Sequence, residues 1–342
     1  MPIRSSFTDW LIPGRETPTT EKYFAGANRT LIGSGPAILA SLRNRPYRRL
    51  GPHLFTAGKR AVLLRHATER ETAILKREKF ERVVYLLDDD LEFLVEDEHV
   101  NPDYRMRVAS FLRCVFPEIL HMTTDIVAPS ISILEKYVRK ELHFLGPSML
   151  WKPKDLSHHD REETFRIVFL GTRSHLQDLD MIAAEISDFL KSRKKSVQFD
   201  TFLGKWAPPR LKGLQNVRHY SPSGWQHFRR ILASQRWHLA IAPMRFTLTN
   251  RGRSWNKLLD HASIGAATLH SAGACPMLDQ AIGNGRYGFP VEGPPARWRE
   301  MLEWLVTDRA TVKCMARAGL RRAQEIGKPA DTRLFWHKLL LR

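Results

Sequence analysis

Short apolar runs alternate with segments of helical periodicity along nearly the whole chain, and the alternation runs twice. The first block has strand-like runs at 61–65, 83–87 and 125–130, with helical patterns at 69–80, 104–120 and 131–140 between and after them. A polar, turn-rich stretch at 145–164 follows and reads as a linker. The second block has apolar runs at 166–170, 197–203, 239–243 and 267–271 and helical patterns at 177–191, 223–234, 254–264, 295–306, 309–326 and 331–341. Strand–helix alternation of this kind predicts parallel α/β sheets, and two blocks predict two such sheets. The reading is therefore an N-terminal α/β domain at 1–150, a C-terminal one at 151–330 and a last helix at 331–342. Residues 1–30 read as an irregular lead-in.

Open α/β sheets bind ligands beyond the carboxyl ends of their strands. With two such domains, the ligand is expected in a cleft between them. The residues to watch are those that follow the apolar runs: Asp88 to Asp90, Ser130, Gly171 to His175, Gly204 and Lys205, and Pro243 to Arg245. Gly33 and Gly35 superficially offer a phosphate-binding turn. They lack the third glycine of that fingerprint and read as an ordinary turn.

Charge narrows the partners. Lys and Arg total 54 against 36 Asp and Glu, a net of +18. This balance favours polyanions: nucleic acid, an anionic membrane face or a phosphorylated substrate. The basic excess gathers toward both ends. The segment Arg43-Asn44-Arg45-Pro46-Tyr47-Arg48-Arg49 interleaves an aromatic ring with cations, which suits a nucleic acid strand or an anionic lipid surface. The exception is an acidic island, Asp88-Asp89-Asp90 through Glu98. Cys114, Cys275 and Cys314 lie far apart and form neither a metal spacing nor a disulfide framework. No apolar run is long enough to span a bilayer, and the first residues carry no apolar signal region, so a cytoplasmic protein is expected.

Three segments resemble glycosyltransferases of the GT-B fold, in the broad group 1 set. The first is Val83-Val84-Tyr85-Leu86-Leu87-Asp88-Asp89-Asp90-Leu91 with Thr124-Asp125-Ile126-Val127-Ala128-Pro129-Ser130. The second runs from Ile167 through Gly171-Thr172-Arg173-Ser174-His175 to Leu179. The third is Leu239-Ala240-Ile241-Ala242-Pro243-Met244 with Arg253-Ser254-Trp255-Asn256-Lys257-Leu258-Leu259-Asp260-His261 and the run up to Ala267. The resemblance spans about 83–271. It implies two Rossmann-like parallel-sheet domains facing a cleft, the second binding a nucleotide-sugar donor and the first an acceptor. Retaining members often pair two acids eight residues apart across the third segment. Asp260 fits the second position and Gly252 stands at the first, so retention and inversion both stay open.

The residue chemistry agrees with that arrangement. Gly171, Thr172 and Arg173 supply backbone N–H groups and a guanidinium near a helix start, which suits a diphosphate. Ser254 is a candidate cap for the 254–264 helix, with Lys257 one turn in, so a helix dipole and a cation converge. Asp260, on the same face, is placed for ribose or sugar hydroxyls. Arg173 and Lys257 would stabilise charge on the departing nucleoside diphosphate without a metal. His175, oriented by Asp178, is a candidate for phosphate or sugar contact. His66 follows a strand and is a weaker candidate.

Asp88, Asp89 and Asp90 read three ways: an acceptor-side base, a solvated helix cap, or a metal site of the other, single-domain glycosyltransferase fold. Trp206 is a candidate for stacking on a nucleotide base. His158, His159 and Asp160 read as a solvated loop, and Cys275 as a thiol near a helix start with no base nearby in sequence.

The expectation is a metal-independent, cofactor-free glycosyltransferase of polysaccharide biosynthesis. It would transfer sugar from a nucleotide-sugar donor to a hydroxyl of a glycan or lipid-linked acceptor, with peripheral contact to an anionic membrane in the lipid-linked case. Nucleic acid is not the expected partner. The rivals are a non-catalytic basic nucleic-acid- or membrane-binding scaffold on the same frame, and a nucleotide-sugar epimerase.

Overall fold

The computed structural model describes residues 17–33, 45–161 and 164–342. They divide into two compact units. Unit 1 comprises residues up to Glu96, Pro102–Leu150 and Gly327–Arg342; unit 2 comprises Asp97–Asn101 and Trp151–Ile326.

Unit 1 opens with a helical run: α1 (Pro18–Thr20), a π-helical turn (Glu21–Ala25), α2 (Gly26–Asn28) and a 3-10 turn (Arg29–Leu31). Then come β1 (Ile32–Gly33), β2 (Tyr47–Arg49), β3 (Leu54–Ala57), β4 (Arg60–Leu64), α3 (Glu69–Glu78), β5 (Arg82–Leu86), α4 (Leu91–Glu96), α5 (Pro102–Cys114), α6 (Phe116–Met122), β6 (Asp125–Ala128), α7 (Ile131–Leu134) and β7 (Glu141–Phe144). The seven strands form one sheet in sequence order. β4 to β7 are parallel, while β3 runs antiparallel to β2 and β4. α3 starts on a reciprocal cap: Glu71 N–H donates to the Thr68 hydroxyl and the Thr68 N–H to the Glu71 carboxylate.

Aromatic packing closes the unit 1 core. Phe24 lies 5.2 Å from Tyr47, 4.7 Å from Phe55 and 5.2 Å from Trp336, ring centroid to centroid. Trp336 comes from the last helix of the chain (Pro329–Leu341) and its indole donates to the Tyr23 carbonyl at 2.6 Å. Nothing in that helix's sequence indicates which sheet it joins; the buried indole does.

Unit 2 contains β8 (Phe165–Phe169), α8 (Leu176–Asp180), α9 (Ala183–Ser192), β9 (Val197–Thr201), β10 (Val217–His219), α10 (Trp225–Ser234), β11 (Leu239–Ala242), α11 (Leu248–Arg251), α12 (Asn256–Ser263), β12 (Ala267–Ser271), α13 (Pro276–Ile282), β13 (Phe289–Val291), α14 (Ala296–Thr307) and α15 (Arg309–Ile326). Numbered on, the Pro329–Leu341 helix of unit 1 is α16. The six strands are all parallel, in the order β10-β9-β8-β11-β12-β13. Phe165, Ile167 and Phe169 face one core with Phe189, Phe199 and Trp298, while Val168 and Leu170 face another with Phe202 and Trp237. Burial on both faces explains why β8 reads as an unbroken apolar run rather than an alternation.

Several expectations change. Sheet one is parallel-dominated as expected, but β3 runs antiparallel to both of its neighbours, its hairpin to β4 turning at Gly58 with φ of +58°. The 104–120 helix is two helices, since Pro117 sits in the first turn of α6 and cannot continue α5. The 131–140 helix is α7 followed by a 3-10 turn, and the 177–191 helix breaks at Met181–Ile182.

His158 and His159 are not a solvated loop but buried side chains of a 3-10 turn, their ring centroids 4.2 Å apart. Tyr47 is buried in the unit 1 core, not an open ring among cations; Arg43 and Asn44 beside it, like Gly35 and residues 1–16, lie outside the described residues. Among the described residues no helix is long and apolar enough to cross a membrane.

Candidate functional site

β8, β11 and β12 are neighbouring interior strands of the unit 2 sheet, and their carboxyl ends adjoin. β8 ends at Phe169, and the chain turns at Gly171. A Cβ on residue 171 would come within 2.2 Å of the Phe169 ring and 3.1 Å of the His175 Cβ, so only glycine fits this turn. Thr172 flanks the 3-10 turn Arg173–His175, and its carbonyl accepts the His175 N–H at 2.9 Å. The Arg173 guanidinium lies 3.9 Å over the ring of Trp206, which is 41% exposed.

His175 is buried, and its Nδ1 lies 3.0 Å from Asp178 Oδ2. Burial first, then the charges of Arg253 and Lys257, bring the imidazole pKa down to about 4. Burial alone would raise Asp178. The bond from His175, the Arg245 N–H and the Arg253 charge outweigh it and hold the carboxyl down to about 2. At neutral pH the pair is therefore a carboxylate and a neutral imidazole. The Nδ1–H donates to Asp178, which leaves Nε2 as an acceptor.

Asp178 also ties two loops together. Its Oδ1 accepts the Arg245 N–H and the Asn250 side-chain amide, each at 3.0 Å. Arg253 Nε donates to Asn250 Oδ1 at 2.9 Å. The Arg245 side chain lies 3.4 Å from Asp178 and 3.2 Å from Asp97. Lys257 donates to the Leu170 carbonyl, one residue before Gly171. Arg253 and Lys257 thus lie near enough to a neutral, buried histidine for their charges to act on it, while Arg173, in the same 3-10 turn, reaches over Trp206.

The start of α12 differs from expectation. The helix begins at Asn256 after Trp255, so Lys257 is its second residue rather than one turn in. Ser254 still serves the helix start, accepting the Asn256 N–H at 3.3 Å. Asp260 is half-buried one turn after Lys257, and Gly252 closes α11. The structure therefore brings Gly171, Thr172, Arg173, His175, Ser254 and Lys257 to the same strand ends, with Asp260 on the same helix as Lys257. Asn250 and Arg253 complete the network and were not singled out from the sequence. The Arg253-Ser254 pair just ahead of a helix start is the signal that would have found the arginine. Cys275 is buried, which pushes its thiol up to about 11.

Asp88, Asp89 and Asp90 follow β5 in unit 1. Asp88 Oδ2 accepts from the Thr19 hydroxyl at 2.5 Å and from Arg65 at 3.3 Å, while Asp89 Oδ2 accepts from Arg65 at 2.6 Å. Arg65 has a left-handed backbone, φ 61°, and also donates to the Tyr104 hydroxyl at 2.9 Å. Burial raises the Asp88 pKa, against the pull of Arg65. Asp90 accepts the Phe93 N–H in the first turn of α4 at 3.2 Å and the Lys136 ammonium at 2.8 Å. Asp89 and Asp90 are thus held in ion pairs and a helix cap. His66 is buried against Phe111, with Arg65 Nε 3.3 Å from its Nε2.

No protein-family model and no curated protein matches the chain. Among solved structures it is similar to TarM, with a TM-score of 0.51 at 10% identity over 82% of this chain and 54% of that one. It is also similar to a point mutant of S. aureus TarM in complex with fondaparinux, α-GlcNAc-glycerol and UDP, with a TM-score of 0.54 at 9% identity over 82% of this chain and 55% of that one. The chain spans about half the length of these structures. With two successive α/β units and this match, the chain has the GT-B glycosyltransferase fold.

Proposed function

We propose that the protein is a glycosyltransferase whose unit 2 binds a nucleotide-sugar donor at the ends of β8 and β11. The observation that carries this reading is that the charges of Arg253 and Lys257 act on the neutral His175 beside the glycine-only turn at Gly171, with Arg173 in the 3-10 turn that follows. A diphosphate fits that arrangement. The turn offers backbone N–H groups, the cations match its charge, and a neutral imidazole adds no competing anion. The TarM complex holds UDP, which is consistent with this ligand class.

In the proposed reaction the bond between the anomeric carbon and the diphosphate oxygen breaks, and the nucleoside diphosphate leaves with the electron pair. Arg173, Arg253 and Lys257 hold the charge that develops on it, with no metal required for that role. The acceptor hydroxyl oxygen forms the new bond to the anomeric carbon and gives its proton to a base. His175 Nε2 accepts a hydroxyl of the donor, and Asp260 is placed for ribose or sugar hydroxyls.

The test is calorimetric binding of nucleoside diphosphates and their hexose esters to wild type and Lys257→Ala. Removing a charge-assisted contact should weaken the preferred ligand by about 10- to 100-fold. The melting temperature should stay within a degree or two, because Lys257 is not part of the core. Unchanged affinity in the variant removes the donor-site reading.

A further inference from the structure

Phe246 is the most exposed large apolar side chain among the described residues, at 77%. An apolar ring in water is unfavourable, yet this one is held outward by built contacts. The Met244 N–H donates to Ser271 Oγ at 2.9 Å and the Arg245 N–H to Asp178 Oδ1 at 3.0 Å. After Phe246, Thr247 caps α11 by accepting the Asn250 N–H at 3.1 Å, and the Asn250 amide returns to the Arg245 carbonyl at 3.0 Å.

The ring rests over Gly273, whose φ is +79°. A Cβ there would come within 3.2 Å of the ring edge. Gly273 is itself fixed, its N–H donating to Asp279 Oδ2 at 3.1 Å. Phe246 is therefore an open aromatic ring on a fixed stretch of backbone, joined through Asn250 and Asp178 to Arg253 and His175.

Sheet order sets what lies on each side. The strands run β9-β8-β11-β12. Trp206 follows β9, the cations and His175 lie at the ends of β8 and β11, and Phe246 over Gly273 lies toward β12. A ligand with its anionic centre on the cations has one aromatic ring on the β9 side and another on the β12 side. A nucleoside diphosphate fills the centre and one side only. Its sugar ester fills both, and the C–H face of a sugar ring suits an open phenyl face.

We propose that Phe246 is a positioning residue that stacks against the transferred sugar ring of the donor. This inference rests on the nucleotide-sugar reading above. The test is calorimetry of UDP, GDP and ADP, each with its hexose and N-acetylhexosamine esters, on wild type, Phe246→Ala and Phe246→Tyr. The expected result is that Phe246→Ala weakens the preferred sugar ester about five- to tenfold and leaves the parent diphosphate unchanged. Phe246→Tyr should keep wild-type affinity for both. A ring that is 77% exposed contributes little to the core, so all three proteins should melt together. Equal weakening of ester and diphosphate, or no weakening of either, overturns the stacking proposal and leaves the donor reading standing. No binding of any of these ligands to wild type overturns both.

Discussion

At the scale of single residues, Asp178 organises more of the candidate site than any side chain that would touch a ligand. It fixes the His175 tautomer, accepts the Arg245 backbone and positions Asn250, which holds Arg253. Replacing Asp178 with Asn removes the charge that keeps His175 Nδ1 protonated. We expect a stability loss of about 1–3 kcal/mol, the size of a lost charge-assisted buried bond. The nitrogen-15 shifts of His175 should also report a change of tautomer. A wild-type imidazole spectrum in Asp178→Asn would contradict this assignment. His175 and Asp178 are three apart in a sequence that turns from strand to helix, so their pairing was legible in the sequence. Asn250 was not, because its two bonds reach back across 72 residues to Asp178 and across five to Arg245. Trp206 and Phe246 illustrate the same limit: whether a ring is open to water is decided by its neighbours in space.

Among elements, the segment entering unit 2 is fastened by imidazoles. His158 Nε2 lies 3.1 Å from the Trp237 carbonyl, His159 Nε2 lies 2.9 Å from the Gly265 carbonyl, and His238 Nε2 lies 3.1 Å from the His158 carbonyl. Gly265, with φ of +75°, lets His158 come close. Burial lowers all three pKa values, to about 4 for His159 and about 3 for His238, and Arg236, Lys313 and Arg309 add to the effect.

Each folded value lies below the unfolded one of about 6.5. Between those limits the unfolded chain binds more protons, so stability is full above about pH 6.5 and falls as the solution is acidified toward pH 4. Each proton contributes a slope of about 1.4 kcal/mol per pH unit. Melting curves from pH 7.5 to 4.5 should show that decline, and His159→Gln should flatten it by about one proton. A pH-independent melting temperature for wild type would refute the argument. In sequence this stretch reads as a polar turn-rich linker, because two adjacent histidines beside an aspartate carry no mark of burial. β7 and β10 escaped sequence reading for a related reason: four- and three-residue edge strands have too few inward positions to show a pattern. The buried strands β5, β8, β11 and β12 were legible within one or two residues because both of their faces are covered.

For the whole molecule, repetition was the legible feature: two strand–helix blocks, two sheets. The closing helix was harder to place. α16 joins the first sheet, where Trp336 fills the aromatic core with Phe24, Tyr47 and Phe55. Trp336→Ala should cost about 3–5 kcal/mol, as large aromatic truncations in cores do. Hydrogen exchange should place the loss in the unit 1 strands, with unit 2 amides unaffected. Equal loosening of both units would mean that the helix is not specific to unit 1.

That helix also sets an order in time. A ribosome delivers the chain amino end first, and domains commonly fold as they emerge. Here the amino-terminal unit cannot close its core on delivery, since the tryptophan that fills it is encoded more than 170 residues after the rest of that unit. The carboxyl-terminal unit has all its strands and helices in hand before α16 is made. The nascent protein should therefore mature in the reverse of its reading order, with the first-made sheet waiting, its aromatic face open to chaperones, until α16 arrives.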